Sequence, residues 1–413
     1  MRKKAYFKSV TIFLSILLVF SQLQLFSLPA YGETVSDQPL LFRSVGVAQN
    51  GTTYYVDGEG GNNANDGQSP ASAWRDFEKV NQTEFQPGDH LLLNAQSTWN
   101  NQLLHPKGNG TAAQKIVIDF YDTNDKGETI FETTRRPIIN GGGTYSTGTF
   151  KRAISGAVQL VNQEYWDISN LEVTNTPELD NLEGYKKPGD AQRAGILVLG
   201  YEQNRTFNSV TIRNNYVHDV QTEYYLNLSG NTATKRLKAV GGIIVLGSWF
   251  DENGNVVTAA NDHRTTTGFN DILIENNVIQ RVGLEGIRTK ADSDTSRGNT
   301  FYKTFSNITI RNNYLEDIAG DGIVLSESKS GGVVEGNVAV RMCNADYGTQ
   351  NYAGVWAMSV DDGLFQYNEV YGIKYGFNDA EAYDVDMQSN NVIYQYNYSH
   401  HNTGGFLLLM SDQ

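Results

Sequence analysis

Nine residues, DAEAYDVDM from Asp379 to Met387, place four carboxylates in a stretch that otherwise has the pattern of a strand. Tyr383 and Val385 alternate with Asp384 and Asp386, the period of a β-strand with one face inside the protein. Asp379 and Glu381 fall in the turn before it. On that reading Asp384 and Asp386 project from the same face with Cα atoms about 6.6 Å apart. Two carboxylates that close do not both ionise freely, so one pKa rises. A general acid beside a general base or nucleophile requires this arrangement. The same acids could instead help to hold Ca²⁺, with Asp361, Asp362 and Asp379 completing an oxygen cage. Arg288, Lys290, Trp356 and His400 are the candidate substrate contacts. Aromatic bodies pack on sugar faces, and charged or polar groups fix hydroxyls and carboxylates.

The elements that position these residues come from internal repetition. Six segments share one pattern: SVTIRNNYVHDV, DILIENNVIQRV, NITIRNNYLEDI, GVVEGNVAVRM, LFQYNEVYGI and VIYQYNYSHHN. They align on Asn215, Asn277, Asn313, Asn337, Asn368 and Asn397. Ile212, Ile274, Ile310, Val334, Phe365 and Tyr394 lie three places earlier, and Val217, Ile279, Leu315, Ala339, Val370 and Ser399 two places later. Short β-branched runs interrupted at a fixed place by Asn, every ~25–60 residues, predict a solenoid with insertions. Stacked rung on rung, the amides can form a hydrogen-bonded ladder, and Asn tolerates a left-handed turn. Structure alone accounts for these asparagines.

A second strand is expected in each rung: GILVLG, GIIVLG, GIRTK, GIVLS, GVWAM, AYDVDM and GFLLLM. Alternation turns Ile196/Val198, Ile243/Val245, Ile287/Thr289, Ile323/Leu325, Val355/Ala357, Tyr383/Val385 and Phe406/Leu408 inward. The outward pairs are then Leu197/Leu199, Ile244/Leu246, Arg288/Lys290, Val324/Ser326, Trp356/Met358, Asp384/Asp386 and Leu407/Leu409. The apolar ones would be covered by insertions such as 221–238 and 248–268. Arg288 and Lys290 stand three rungs, about 14 Å, from the carboxylate pair. That is too far to share one reacting centre, so substrate binding suits them better than catalysis. Lys374 is a nearer base.

At the N-terminus, MRKKAYFKSVTIFLSILLVFSQLQLFSLPAYG has the basic start, apolar run and small-residue end of an export signal over residues 1–32. Residues 33–50 read as a lead-in and 51–413 as the solenoid. Within it, TTYYVD reads as a strand and SPASAWRDFEKV as a short capping helix, with Pro70 in its first turn and Trp74, Phe77 and Val80 on one face. The chain stops just after GGFLLLM with no polar cap, so further rungs are expected beyond residue 413. Without residues 1–32 the chain keeps 28 Lys+Arg against 46 Asp+Glu, a formal charge of −18. Such a chain repels nucleic acid and anionic membranes. Cys343 is the single cysteine and reads as a small buried apolar residue. A monomer, free of the membrane once its signal is removed, is expected.

The sequence resembles the secreted right-handed parallel β-helix proteins, the pectate-lyase-like superfold of carbohydrate-active enzymes. The resemblance is carried by YYVDGEGGNNANDGQSPASAWRDFEKVNQ with QPGDHLLL, by PIINGGG with VQLVNQEYWDISNLEVTN, and by the Asn-centred rungs up to YQYNYSHHNTGGFLLL. It implies an all-β, right-handed parallel β-helix acting on a polysaccharide or oligosaccharide. GIRTK is similar to the Arg-x-Lys element of polygalacturonase-type hydrolases, and AGDGIVL to their paired-Asp strand. Only Asp321 is present there, followed by Gly322, so no catalytic residue is carried over. Three functions stand open: hydrolysis by the Asp384/Asp386 pair, a Ca²⁺-dependent uronate lyase, and a glycan-binding solenoid without catalysis.

Overall fold

The computed structural model describes residues 41–143, 154–177, 192–221, 240–247, 267–291, 293–294, 300–345, 352–374 and 379–410. Residues 1–32, read as an export signal, and most of 221–238 and 248–268, read as coverings, lie outside these residues. A full rung has three strands, as in Gly268–Glu275, Val278–Val282 and Glu285–Lys290. Successive rungs pair in parallel and build three sheets. The base sheet runs from Thr53–Val56 to Ile393–Gln395, and the ladder sheet from Thr98–Asn100 to Tyr398–His400. The third, the site sheet, runs from Ile154–Val161 to Leu407–Leu409. The chain is a right-handed parallel β-helix.

The expected register holds. Ile212, Ile274, Ile310, Val334, Phe365 and Tyr394 stack in the base sheet. Val217, Ile279, Leu315, Ala339, Val370 and Ser399 stack in the ladder sheet. Ile196, Ile243, Ile287, Ile323, Val355 and Tyr383 line the core from the site sheet. Each buried aliphatic side chain contributes roughly 1.5–3 kcal/mol of transfer free energy.

Between the base and ladder sheets, the asparagines form one continuous amide ladder. Asn215 Nδ2 donates to Asn277 Oδ1 (3.1 Å), and the pattern passes through Asn313, Asn337 and Asn368 to Asn397. Each amide also donates to a main-chain carbonyl, such as that of Ile274 from Asn313 (3.0 Å). The left-handed residue is the one before the ladder asparagine: Asn214, Asn276, Asn312, Gly336, Tyr367 and Tyr396 have φ of 54–64°. A second left-handed column, Asp219, Arg281, Asp317 and Arg341, is joined by ion pairs between rungs.

Two expectations require correction. SPASAWRDFEKV is not one helix: a 3₁₀ turn at Pro70–Ser72 is followed by extended chain, and an α-helix begins at Phe77. The Trp74 N–H donates to Tyr55 O and its carbonyl accepts from Asp57 N, so the residue joins the base sheet. Asp76 then caps Phe77–Gln82, which buries Phe77 and Val80 over the first rungs. In the last rung Tyr383 pairs with Leu407 and Asp384 with Leu408. Phe406 is exposed, and the inward/outward assignment of 406–409 is shifted by one residue.

Candidate active site

A column of glycines sets the spacing of the site sheet. At Gly242, Gly286, Gly322 and Gly354, a Cβ would lie 2.4–2.5 Å from a main-chain oxygen of the next rung. Only glycine allows that approach. The residue just before each of these positions falls in a second column containing Glu285, Asp321, Ala353 and Glu381. Two residues after the small one comes the outward position, and here Ile244, Arg288, Val324, Trp356 and Asp384 stand in register.

Projecting from the sheet does not leave these groups in water. Arg288 is 1% exposed and Lys290 is also buried. Arg288 Nη1 lies 3.1 Å from Glu285 Oε2 and 3.4 Å from Asp321 Oδ2, both carboxylates fully buried. Its guanidinium sits 5.3 Å from the Trp356 ring centroid. Burial pushes the Glu327 carboxyl up, while Lys290 and Arg288 pull it back. Neither cation is therefore a free substrate contact, contrary to the expectation. Trp356, 5% exposed, packs with Val324, Ala353, Met358 and Met387, so its ring faces this buried network and not an open groove.

Glu285 and Glu327 were missed in the sequence, and Asp321 was given no role beyond its place in an incomplete paired-Asp segment. Glu285, Asp321 and Glu381 each precede a small residue and an inward apolar one, in EGI, DGI and EAY, a recurrence that would have found two of them. Asp321 also accepts from Ala353 N (2.8 Å), which ties Arg288 to the start of the Trp356 strand. Arg288→Met is expected to destabilise the fold by about 3–5 kcal/mol, since it leaves buried carboxylates without their cation. Urea denaturation measures this.

Asp384 is 5% exposed, and its Oδ1 is buried with no hydrogen-bond partner among the described residues. Its carboxyl is pushed up to about 8, first by burial and then by Asp386, Asp379, Glu381 and Asp321. Asp386 is half-buried, and its Oδ1 accepts from Met387 N (2.7 Å). Glu381 Oε2 is also buried without a partner among the described residues. The strand is held by Tyr394, whose hydroxyl donates to Asp384 O (2.8 Å), and by Asp386 N donating to Ala357 O (2.8 Å). One proton-holding carboxyl beside ionised carboxylates can protonate a leaving oxygen while a neighbour acts as base or nucleophile.

The calcium set does not assemble. Asp361 Oδ1 is 2.5 Å from Lys303 Nζ and accepts from Asn390, while Asp362 accepts from Asn391 (2.6 Å). Both lie past the far end of the Trp356 strand, Val355–Val360, whereas Asp379 acts on Asp384. Among the described residues no three His, Cys, Asp or Glu side chains are grouped to hold a metal. His400 belongs to the ladder sheet, where Nε2 meets Glu369 Oε1 (3.0 Å) and the ring stacks on Tyr371. It therefore lies on a different face from Asp384.

No family model matches the chain. The chain is 28% identical over 415 residues to a lacto-N-biosidase of Bifidobacterium longum subsp. longum, covering 88% of this chain and 25% of that protein. The native crystal structure of the GH136 lacto-N-biosidase from Eubacterium ramulus superposes with a TM-score of 0.65 at 25% identity. It covers 86% of this chain and 57% of that one, and its selenomethionine derivative gives 0.64. The chain is similar to lacto-N-biosidases. It spans a quarter of the length of the curated relative and just over half of the solved one. Among the described residues no helix is long and apolar enough to cross a membrane.

Proposed function

We propose that this chain is the β-helix of an exported glycoside hydrolase, in which Asp384 protonates the leaving oxygen and Asp386 serves as the ionised base or nucleophile. The observation that carries the reading is the buried Asp384 carboxyl, whose Oδ1 has no hydrogen-bond partner among the described residues and which holds its proton to about pH 8 beside Asp386 and Asp379. Export rests on the signal-like residues 1–32. The lacto-N-biosidase activity named for both relatives is the first to test. A uronate lyase is less well supported. Such an enzyme needs an accessible base beside the carboxylates, and Arg288 and Lys290 are buried amid carboxylates, while the exposed Lys374 follows the ladder-sheet strand Glu369–Tyr371. Charge favours a neutral glycan, because a uronate would meet Asp379 and Asp386 with Arg288 and Lys290 already buried among carboxylates.

The test incubates the full chain with p-nitrophenyl lacto-N-bioside and a panel of neutral and uronate glycans, with and without EDTA. Hydrolysis of a neutral glycoside, unchanged by EDTA and without the ultraviolet absorbance of an unsaturated uronate, is the expected result. EDTA-sensitive release of unsaturated product would overturn it. Asp386→Asn and Asp379→Asn are compared in the same assay. Loss of about 10²–10⁴ in kcat with Asp386→Asn is expected. Full activity there, with the loss appearing in Asp379→Asn, would move the partner role to Asp379.

A further inference from the structure

The left-handed column before the ladder asparagines changes character near the C-terminal end. Asn214, Asn276, Asn312 and Gly336 suit positive φ, whereas Tyr367 and Tyr396 adopt 57° and 54° with large side chains. A bulky residue held in that region costs on the order of 1 kcal/mol or more, and such strain points to a role for the side chain. In the other column, the bulky residues Arg281 and Arg341 are held by ion pairs to Asp219 and Asp317. The tyrosines have no such tie. Their rings stack on each other at 5.2 Å and 7°, and neither hydroxyl bonds to a described residue. They remain 59% and 72% exposed. Tyr367 is this exposed although a rung lies on either side of it, so the column projects into solvent.

Polar groups flank the pair. Gln395 Nε2 donates to Gln366 Oε1 (2.8 Å) just before the two rings, and Glu369 lies two residues after Tyr367. Exposed Tyr398 packs against His400 (4.7 Å) just beyond the turn. We propose that Tyr367 and Tyr396 form a glycan-binding surface on the turn between base and ladder sheets, separate from the carboxylates of the site sheet. Stacked aromatics also take nucleobases, but a formal charge of −14 and nearby Glu335 and Glu369 oppose a polyanion. A neutral pyranose chain suits the surface. Its C–H face packs on the rings, and its hydroxyls meet amide and carboxylate groups. The proposal does not depend on the hydrolytic reading.

Tyr367→Asn combined with Tyr396→Asn removes the rings but installs the residue that earlier rungs carry. This variant is therefore expected to melt at the same temperature as the parent or higher. The intact protein is run by native affinity electrophoresis through gels containing soluble galactan, xylan or mannan, with polygalacturonate as the acidic control. Retardation by at least one neutral glycan is expected, with the apparent Kd rising about fivefold or more in the double variant. Turnover of p-nitrophenyl lacto-N-bioside should be unchanged. No retardation by any neutral glycan, or equal retardation of parent and variant, would overturn the proposal. So would light scattering showing a dimer that the double variant loses, since a second copy would then occupy the rings. Retardation without any hydrolysis would leave this surface standing and remove the hydrolase reading.

Discussion

Asp384→Asn is expected to silence hydrolysis and, above neutral pH, to make the fold more stable. Asparagine has nearly the same shape but cannot deliver a proton, so kcat should fall by about 10²–10⁴. In the parent, activity should decline along an alkaline limb near pH 8, where Asp384 loses its proton. The stability effect runs the opposite way to that of a salt-bridged carboxylate. Folding raises this carboxyl from 3.8 to about 8, so between those values the folded chain binds the proton more tightly than the unfolded one. Stability from this group is therefore full at low pH, falls as pH rises through that window, and carries the whole cost of a buried charge above about 8. Asparagine removes that cost. Thermal melts should coincide at pH 4, while at pH 9 the variant should melt about 5 °C higher. A variant that keeps its activity, or one that melts lower at pH 9, would place the proton on another carboxyl. Gain of stability on loss of activity is the pattern of a strained site.

The fold was legible where rungs repeat the same chemistry. Asn215 through Asn397 recur because each amide bonds to the next, and that demand fixes both spacing and register. The site sheet was legible wherever a polar or small residue marked the phase of alternation. GGFLLLM carries no such mark: Phe406, Leu407, Leu408 and Leu409 are all apolar, and a slip of one residue exchanges the faces without changing the pattern. Trp74 misled because Pro70 signals a helix start, while the open edge beside Tyr55 offered backbone bonds that a helix could not.

The site was legible only in part. Period two identified Asp384 and Arg288 as outward, but outward and exposed are different properties. The charges of Arg288 and Lys290 are offset by Glu285, Asp321 and Glu327, of which Glu285 is the first residue of its strand and Asp321 lies two residues before its own, both ahead of the alternating run. His400 lies only 16 residues after Asp384. Within a solenoid that interval turns the chain from one face to another, so proximity in sequence gives no proximity in space. Asp379 was read as a metal ligand, yet it is one of the charges that keep Asp384 protonated.

Asn313→Ala is expected to cost far more stability than the same change at the last ladder asparagine, Asn397. Asn313 Nδ2 donates to Ile274 O and Asn337 Oδ1, and its Oδ1 accepts from the Asn277 N–H and Nδ2, all at 3.0 Å. Alanine leaves four polar groups buried without these partners, at a cost of roughly 1–3 kcal/mol for each one left unsatisfied. Even with partial relaxation, a loss of about 4 kcal/mol or more should appear in urea denaturation. Asn397→Ala removes a comparable set, to Phe365 O and to Asn368, but that residue is only half-buried and water can replace its bonds. Its cost should be about half. Asn313→Asp separates hydrogen bonding from side-chain volume. A carboxylate keeps the bonds from Asn277 but presents only acceptors to Ile274 O and Asn337 Oδ1, whereas a protonated carboxyl can donate to one of them. Asn313→Asp should therefore recover stability relative to Asn313→Ala as pH falls, while Asn313→Ala shows no such recovery. Equal costs for the three variants at every pH would mean that packing holds the rungs in register and the amide ladder does not.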